Sequence, residues 1–229
     1  GSSSKTASVN AEKNTVKQTE SEKVTKAETD TKKNSNRTQV QGNPTVCIDA
    51  AHGGSSTGGA SGNYTEKAIT LSVALKVKEY LEESGVNVVM TRTSDKDVTN
   101  EQRVKTCNDS KASAMVSIHM NSADKTVTAK GAECWVHTKK PADSQKLAED
   151  ILKQLKSEAG FNDRGVKYGT VADNKENYDI NSHSSCASMV LQLGFITDST
   201  DVKLVTDKLD TTATAIADGI VEYLNGKAH

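Results

Sequence analysis

From Thr45 onward, short β-branched apolar runs alternate with amphipathic helical stripes, and that alternation leaves few folds open to the chain. Residues 45–50 (TVCIDA) form an apolar run of strand length that breaks into Ala51-His52-Gly53-Gly54, which predicts a buried strand running into a loop. Residues 66–84 repeat apolar side chains at Ile69, Val73, Val77 and Tyr80/Leu81, one face of a helix with Gly85 placed to cap it. Residues 86–92 are β-branched and strand-like, and Thr99-x-x-Gln102 is a capping box that opens a helix reaching about Lys111. Residues 114–120, 131–137 and 188–193 read as further strands. Pro141 suits the first turn of a helix carrying Leu147, Ile151 and Leu155 and ended by Gly160, and a last helix is predicted over about 211–224. Strands alternating with helices imply a single α/β domain: a mostly parallel twisted sheet flanked by helices on both faces.

Composition marks where that domain starts. Of 229 residues 34% are hydrophobic and 3% aromatic, yet residues 1–43 contain no aromatic residue, leucine or isoleucine. So few apolar side chains cannot offset the chain entropy of folding, and 1–43 is predicted to be a disordered polar tether, with the domain at 44–229. The tether carries 8 basic and 5 acidic residues, so the overall charge of −1 averages a mildly basic tether and a mildly acidic domain. That balance gives no electrostatic reason to expect a nucleic acid partner. No apolar run approaches the ~20 residues of a membrane-spanning helix. The opening Gly1-Ser-Ser-Ser-Lys fits two readings equally, a cloning remnant or the residues that follow the lipidated cysteine of a bacterial lipoprotein.

Candidate chemistry gathers at strand ends. His52 follows the first strand and His119 ends the strand at 114–120; in open parallel sheets the ligand crevice lies at the carboxyl ends of strands. Glu66 opens the helix after a glycine-rich loop that can fold it back toward His52. Two imidazoles and a carboxylate with one position open make a catalytic zinc set, although single histidines at strand ends are more often structural. Competing arrangements carry less. Ser117 or Ser185 lacks a G-x-S-x-G elbow, His52-Gly-Gly is followed by no phosphate-loop signature, and Cys186 with His183 lies too close in sequence for easy nucleophile–base geometry. Cys47, Cys107 and Cys134 read as small buried hydrophobes and Cys186 as more exposed; export would allow one pair to oxidise, without saying which.

The motifs Ile48-Asp49-Ala50-Ala51-His52-Gly53-Gly54, Gly62-x-x-x-Glu66-Lys67, Thr91-Arg92, Arg103, Ser117-Ile118-His119-Met120-Asn121, Asp163-Arg164-Gly165-Val166-Lys167 and Gly194-Phe195-Ile196-Thr197 occur in that order. Together, over about residues 45–225, they resemble the zinc-dependent N-acetylmuramoyl-L-alanine amidases of the third amidase family. The resemblance implies about six strands, one Zn2+ held by His52, Glu66 and His119, and hydrolysis of the amide joining muramic acid to L-alanine in peptidoglycan. It also implies export to a bacterial cell envelope; the tether lies outside the resemblance, and its opening residues alone make it a candidate place for a lipid anchor or a protein partner. Arg164 and Asn121 become candidate substrate ligands; Arg164 fits two readings equally, a partner for a stem-peptide carboxylate or an anchor of its own loop through an ion pair. Lys67 and Arg103 read instead as surface or ion-pair residues.

One departure bears on the chemistry. The family's general-base glutamate ends the strand before Gly194-Phe195, and here that position is Gln192. An amide can hydrogen-bond to the attacking water but cannot take its proton, a contribution worth roughly 10²–10⁴ in rate. Three accounts follow: an edited residue in an active enzyme, takeover by Glu133 or a histidine of residues 179–185, or an impaired domain that binds peptidoglycan or regulates. Ala50 and Ala51 stand where the family has proline and glycine, and Ser56 where it has an acid, which puts the shape of the first loop in question.

Overall fold

The computed structural model describes residues 36–227. The elements in chain order are β1 (Thr45–Ala50), β2 (Ala60–Ser61), β3 (Tyr64–Thr65), α1 (Glu66–Glu83), β4 (Asn87–Met90), α2 (Asn100–Asp109) and β5 (Ala114–Asn121). After these come β6 (Ala132–Val136), α3 (Ala142–Gln154), β7 (Asp163–Tyr168), α4 (Asp179–His183), β8 (Ala187–Phe195), α5 (Ser199–Val205) and α6 (Leu209–Lys227). The main sheet has six strands in the order β4-β1-β5-β8-β6-β7, and β2 and β3 form a separate small hairpin.

β4, β1, β5 and β8 are parallel, so the carboxyl ends of β1, β5 and β8 share one edge of the sheet. Direction then reverses: β6 runs antiparallel to β8, and β7 is parallel to β6. The amino ends of β6 and β7 therefore lie at that same edge, where Glu133 and Arg164 join the ends of the parallel strands.

Period-two alternation decides what each face meets. Ile48, Val116, Ile118, Met189 and Leu191 face a core shared with Val73, Val77 and Leu81 of α1, Leu147 and Ile151 of α3, and Ile216 and Ile220 of α6. Cys47, Met115, Val190 and Trp135 face the other way, onto Val104 and Cys107 of α2 and Ile180 of α4. Cys47 and Cys107 are joined by a disulfide with their Cα atoms 5.5 Å apart, which fastens α2 to β1. Closing a loop of this length, 60 residues in sequence, removes unfolded-state entropy worth ~4 kcal/mol in the chain-entropy model.

The capping box at Thr99 is present in full: Thr99 Oγ1 accepts from Gln102 N at 3.1 Å and Gln102 Oε1 accepts from Thr99 N at 2.9 Å. After Gln154 the α3 helix widens into a π-type turn over Leu155–Ala159, and Gly160 ends it at φ 78°.

The domain begins earlier than composition suggests. Residues 36–43, assigned to the tether, are docked on the domain: Val40 is buried in the larger core and its amide donates to Ser84 O. Arg37 donates to the Tyr80 carbonyl at 3.1 Å and to Asp218 Oδ1 at 2.7 Å. One apolar side chain and one cation at the carboxyl end of α1 suffice, a signal too sparse for composition to register. The rest of the predicted tether, residues 1–35, lies outside the described residues.

Candidate metal centre

The peptide after β1 turns sharply. His52 adopts φ 63°, a left-handed conformation that costs a non-glycine residue energy and is held only by its surroundings. Two buried arginines supply that hold. Arg92 donates from Nε to the Ala50 carbonyl and from Nη2 to the Ala51 carbonyl, both at 2.9 Å. Arg103 donates to the Ala50 carbonyl at 2.7 Å and to the His52 carbonyl at 2.8 Å. The loop with Ala50 and Ala51 is thus shaped by guanidinium groups on three successive carbonyls. Beneath it, the carboxylate of Asp49 accepts from Arg103 at 2.7 Å, Thr91 at 2.6 Å and Ser117 at 2.6 Å. Burial alone would raise the Asp49 pKa; the Arg103 charge and these hydrogen bonds outweigh it and hold the carboxyl below its ordinary value.

The glycine-rich loop closes back on α1. Glu66 N donates to Gly59 O at 2.8 Å and Lys67 N to Thr57 O at 3.1 Å, satisfying first-turn amides and turning the Glu66 side chain toward the histidines. Glu66 Oε2 lies 3.2 Å from His52 Nε2 and Glu66 Oε1 lies 3.1 Å from His119 Nδ1. Gly59 N and Met120 N donate to the same carboxylate at 2.8 and 3.0 Å. Burial works against charge here too, but hydrogen bonds from His119, His52 and Gly59 keep Glu66 strongly depressed and ionised. Gly58 is required by this crowding: a Cβ there would stand 2.6 Å from both Glu66 Oε2 and His52 Cδ2.

One ligand atom from each of His52, Glu66 and His119 falls within 4.8 Å of the others. Two imidazoles, one ionised carboxylate and an open side fit a divalent metal with three protein ligands. Ser56 Oγ lies 2.9 Å from His52 Nδ1, orienting the ring so that Nε2 faces the cluster. A cleft of about 280 Å³ opens beside it, lined by His52, His119, Tyr178, Asp179 and Ile180 among others.

Gln192 occupies the sheet position next to His119 on one side and Glu133 on the other. It is buried, and its Oε1 has no hydrogen-bond partner among the described residues. Glu133 is engaged on both oxygens: Asn121 Nδ2 at 2.6 Å and Arg164 Nε at 3.2 Å reach Oε1, and Lys167 Nζ at 2.9 Å reaches Oε2. A carboxylate tied to two cations is poorly placed to act as a general base. Asn121 and Arg164 therefore meet on Glu133, and Lys167, which motif reading left without a role, joins them. The cause is a bulge: Ala132 pairs with Asp163 but Cys134 with Val166, so β7 carries an extra residue, with Gly165 at φ 87°.

The other candidates lie elsewhere. His183 is exposed at the end of α4, and its carbonyl accepts from Asn108. Ser117 is buried on Asp49, and Ser185 bonds Asn108. Burial pushes the Cys186 thiol up, away from nucleophilic character. Lys67 bridges Gly54 O and Asp95, and Arg103 pairs with Asp49, both as ion-pair residues.

Residues 46–222 match the model of the third amidase family, described as N-acetylmuramoyl-L-alanine amidase. YqiI of Bacillus subtilis (strain 168), an uncharacterized protein, is 36% identical over 182 residues, covering 78% of this chain and 84% of YqiI. The N-acetylmuramoyl-L-alanine amidase LytC of the same organism is 31% identical over 182 residues, 78% of this chain but only 35% of LytC. The crystal structure of an N-acetylmuramoyl-L-alanine amidase from Clostridium difficile 630 superposes with a TM-score of 0.74 at 30% identity, covering 81% of this chain and 98% of that one.

Proposed function

The chain belongs to the third family of N-acetylmuramoyl-L-alanine amidases, and from that premise we propose that it is a zinc-dependent hydrolase of the amide between N-acetylmuramic acid and L-alanine in peptidoglycan. The observation that carries the proposal is the convergence of His52, Glu66 and His119 on one open-sided cluster beside Gln192. His52, Glu66 and His119 would hold the zinc, which when bound polarises the amide carbonyl and brings the pKa of a coordinated water to about 7. Arg92 and Arg103 keep His52 in its left-handed conformation, so the ligand set is organised before substrate arrives. Gln192 keeps the register position from which a side chain meets the reacting groups, and its amide can orient a water or an amide N–H. It cannot carry a proton to the leaving amine. The chain thus retains binding and orientation and lacks that proton relay.

This loss favours a second reading from a different class: an impaired amidase-like domain that holds muramoyl-peptide, as a peptidoglycan-binding or regulatory module. Action outside the cytoplasm belongs to the proposal and is supported by the Cys47–Cys107 disulfide, a bond that persists in oxidising compartments. So does a tether role for residues 1–35, with a lipid or protein attachment, which rests on composition alone. Among the described residues no helix is long and apolar enough to cross a membrane.

The test is turnover of a muramoyl-peptide by the protein carrying one zinc per chain, beside a Gln192→Glu variant and both proteins after chelation. Slow zinc-dependent release of peptide is expected, rising by roughly 10²–10⁴ in the variant. No turnover by either zinc-loaded protein refutes the hydrolase reading, and fast turnover with Gln192 in place refutes the impaired module.

A further inference from the structure

Beyond the metal cluster, the row of side chains across the sheet continues into a group that the hydrolytic step does not use. His119, Gln192 and Glu133 stand in register on β5, β8 and β6, and Arg164 and Lys167 reach in from β7. Glu133 is 3% exposed and holds both cations, so their side chains are fixed before any ligand arrives. Two cations on one carboxylate leave an excess positive charge. A carboxylate at position 192 would cancel it; the buried amide of Gln192 does not.

The outward faces of both cations are available. The Arg164 and Lys167 side chains are 31% and 34% exposed. Arg164 meets Glu133 through Nε, and among the described residues its two terminal nitrogens have no hydrogen-bond partner. Its guanidinium lies 5.0 Å from the Phe195 ring centroid, and Lys167 Nζ lies 5.7 Å from that of Trp135, so aromatic surfaces steady both groups. Beside them, Gln192 Oε1 is buried without a partner, an acceptor that a ligand N–H would satisfy.

We propose that Arg164 and Lys167, braced by Glu133, clamp a carboxylate on the second residue of the stem peptide, selecting the free acid over its carboxamide. This rests on the reading of the chain as a muramoyl-peptide amidase. Neighbouring strands are about 4.8 Å apart, which puts Glu133 about 10 Å from His119 across Gln192. A carbonyl held between His119 and Gln192 is then about 7 Å from the cations, the span of two extended residues. A γ-linked glutamate in second place leaves its α-carboxylate free of the peptide backbone. Two parallel N–H groups of a guanidinium match such a carboxylate, and the lysine adds a second charge. A carboxamide has one acceptor oxygen and turns N–H donors toward the cations' own donors.

The zinc-loaded protein is titrated by calorimetry with N-acetylmuramoyl-L-alanyl-γ-D-glutamyl-L-lysine and with its α-carboxamide (D-isoglutaminyl) counterpart, so that the γ-carboxyl is tied in an amide in both. The acid is expected to bind roughly tenfold tighter or more, the effect of one charge-assisted hydrogen bond. Arg164→Gln and Lys167→Gln are each expected to shrink the ratio, and the double variant, made together with Glu133→Gln so that no buried carboxylate is stranded, to abolish it, with isoglutamine affinity and zinc content retained and the protein folded at the temperature of titration. Equal affinity of the unmodified protein for the two peptides, or a ratio that survives in the double variant, overturns the clamp and leaves the amidase reading standing. Binding of neither peptide overturns the amidase reading itself, and the clamp with it.

Discussion

Arg103 is the residue through which the buried charge of the domain reaches the loop that carries His52. Its guanidinium spans Asp49, the Ala50 carbonyl and the His52 carbonyl, and both it and Asp49 are buried. Removing one charge of such a pair leaves the other stranded in a medium of low polarity. Asp49→Asn is therefore expected to lose about 3–5 kcal/mol of stability, read from urea unfolding at pH 7. The pH dependence follows from the lowered Asp49 pKa: a carboxyl depressed in the folded state stabilises above its unfolded pKa of about 3.9 and loses that contribution as pH falls through the folded value. Below about pH 4 the gap between native protein and variant should narrow; a gap constant with pH would contradict the assignment. Strand ends and a returning loop made His52, Glu66 and His119 only a weak candidate set in pattern; the ordered family motifs singled them out, and the fold brings the three side chains together. Arg103 read as a helix-surface or ion-pair residue; it is buried, and its pairing with Asp49 under the loop was not legible because helical periodicity says nothing about a long side chain's destination. Glu133 was recognisable as a carboxylate near Gln192; its cations were not, because the β7 bulge that aims Arg164 and Lys167 at it exists only in strand pairing.

Among the elements, α3 and α6 show how much close packing depends on one small residue. A Cβ on Gly219 of α6 would stand 2.5 Å from Ile151 Cα and 2.9 Å from Asp150 O, both backbone atoms of α3 that cannot swing aside. Gly→Ala in an unpacked helix gains about 1 kcal/mol from propensity. Here the helices must separate, and Gly219→Ala is expected to lose about 1–3 kcal/mol instead, seen as a lower urea midpoint. An unchanged or higher midpoint would show that the helix pair is looser than its geometry. The long elements were legible, α1, α3 and α6 from apolar stripes and β1, β5 and β8 from apolar runs, because each buries a periodic face. β7 was not: DRGVKY carries three charges and a glycine, as suits an edge strand paired only with β6. α4 and α5, with 5 and 7 residues, are too short to display a stripe. The reversal at β6 leaves no trace in its own residues, since a buried strand reads alike in either direction.

At the scale of the whole molecule, the seam where residues 36–43 meet the domain is also where its charge is least settled. Arg37 pairs with Asp218 of α6, and Glu158, in the π-type turn after α3, hydrogen-bonds the same aspartate. Burial, then the Asp218 hydrogen bond and charge, push the Glu158 pKa up to about 7, with Arg37 opposing them. The sign is the reverse of that for Asp49. A carboxyl raised in the folded state stabilises while protonated, so its contribution is complete below its unfolded pKa of about 4.3 and is lost as pH rises through about 7. A neutral amide in place of this carboxyl would mimic the protonated acid at every pH. Glu158→Gln should therefore leave the thermal midpoint near pH 5 almost unchanged and raise it near pH 8, where the native carboxylate faces Asp218. Because Glu158 is exposed and solvent screens the pair, the rise should be modest. The comparison between proteins at each pH cancels other groups that titrate over this range, histidines included. A variant whose midpoint tracks the native protein from pH 5 to pH 8 would mean that Glu158 and Asp218 do not share a proton, and that the docked segment closes over a seam insensitive to pH.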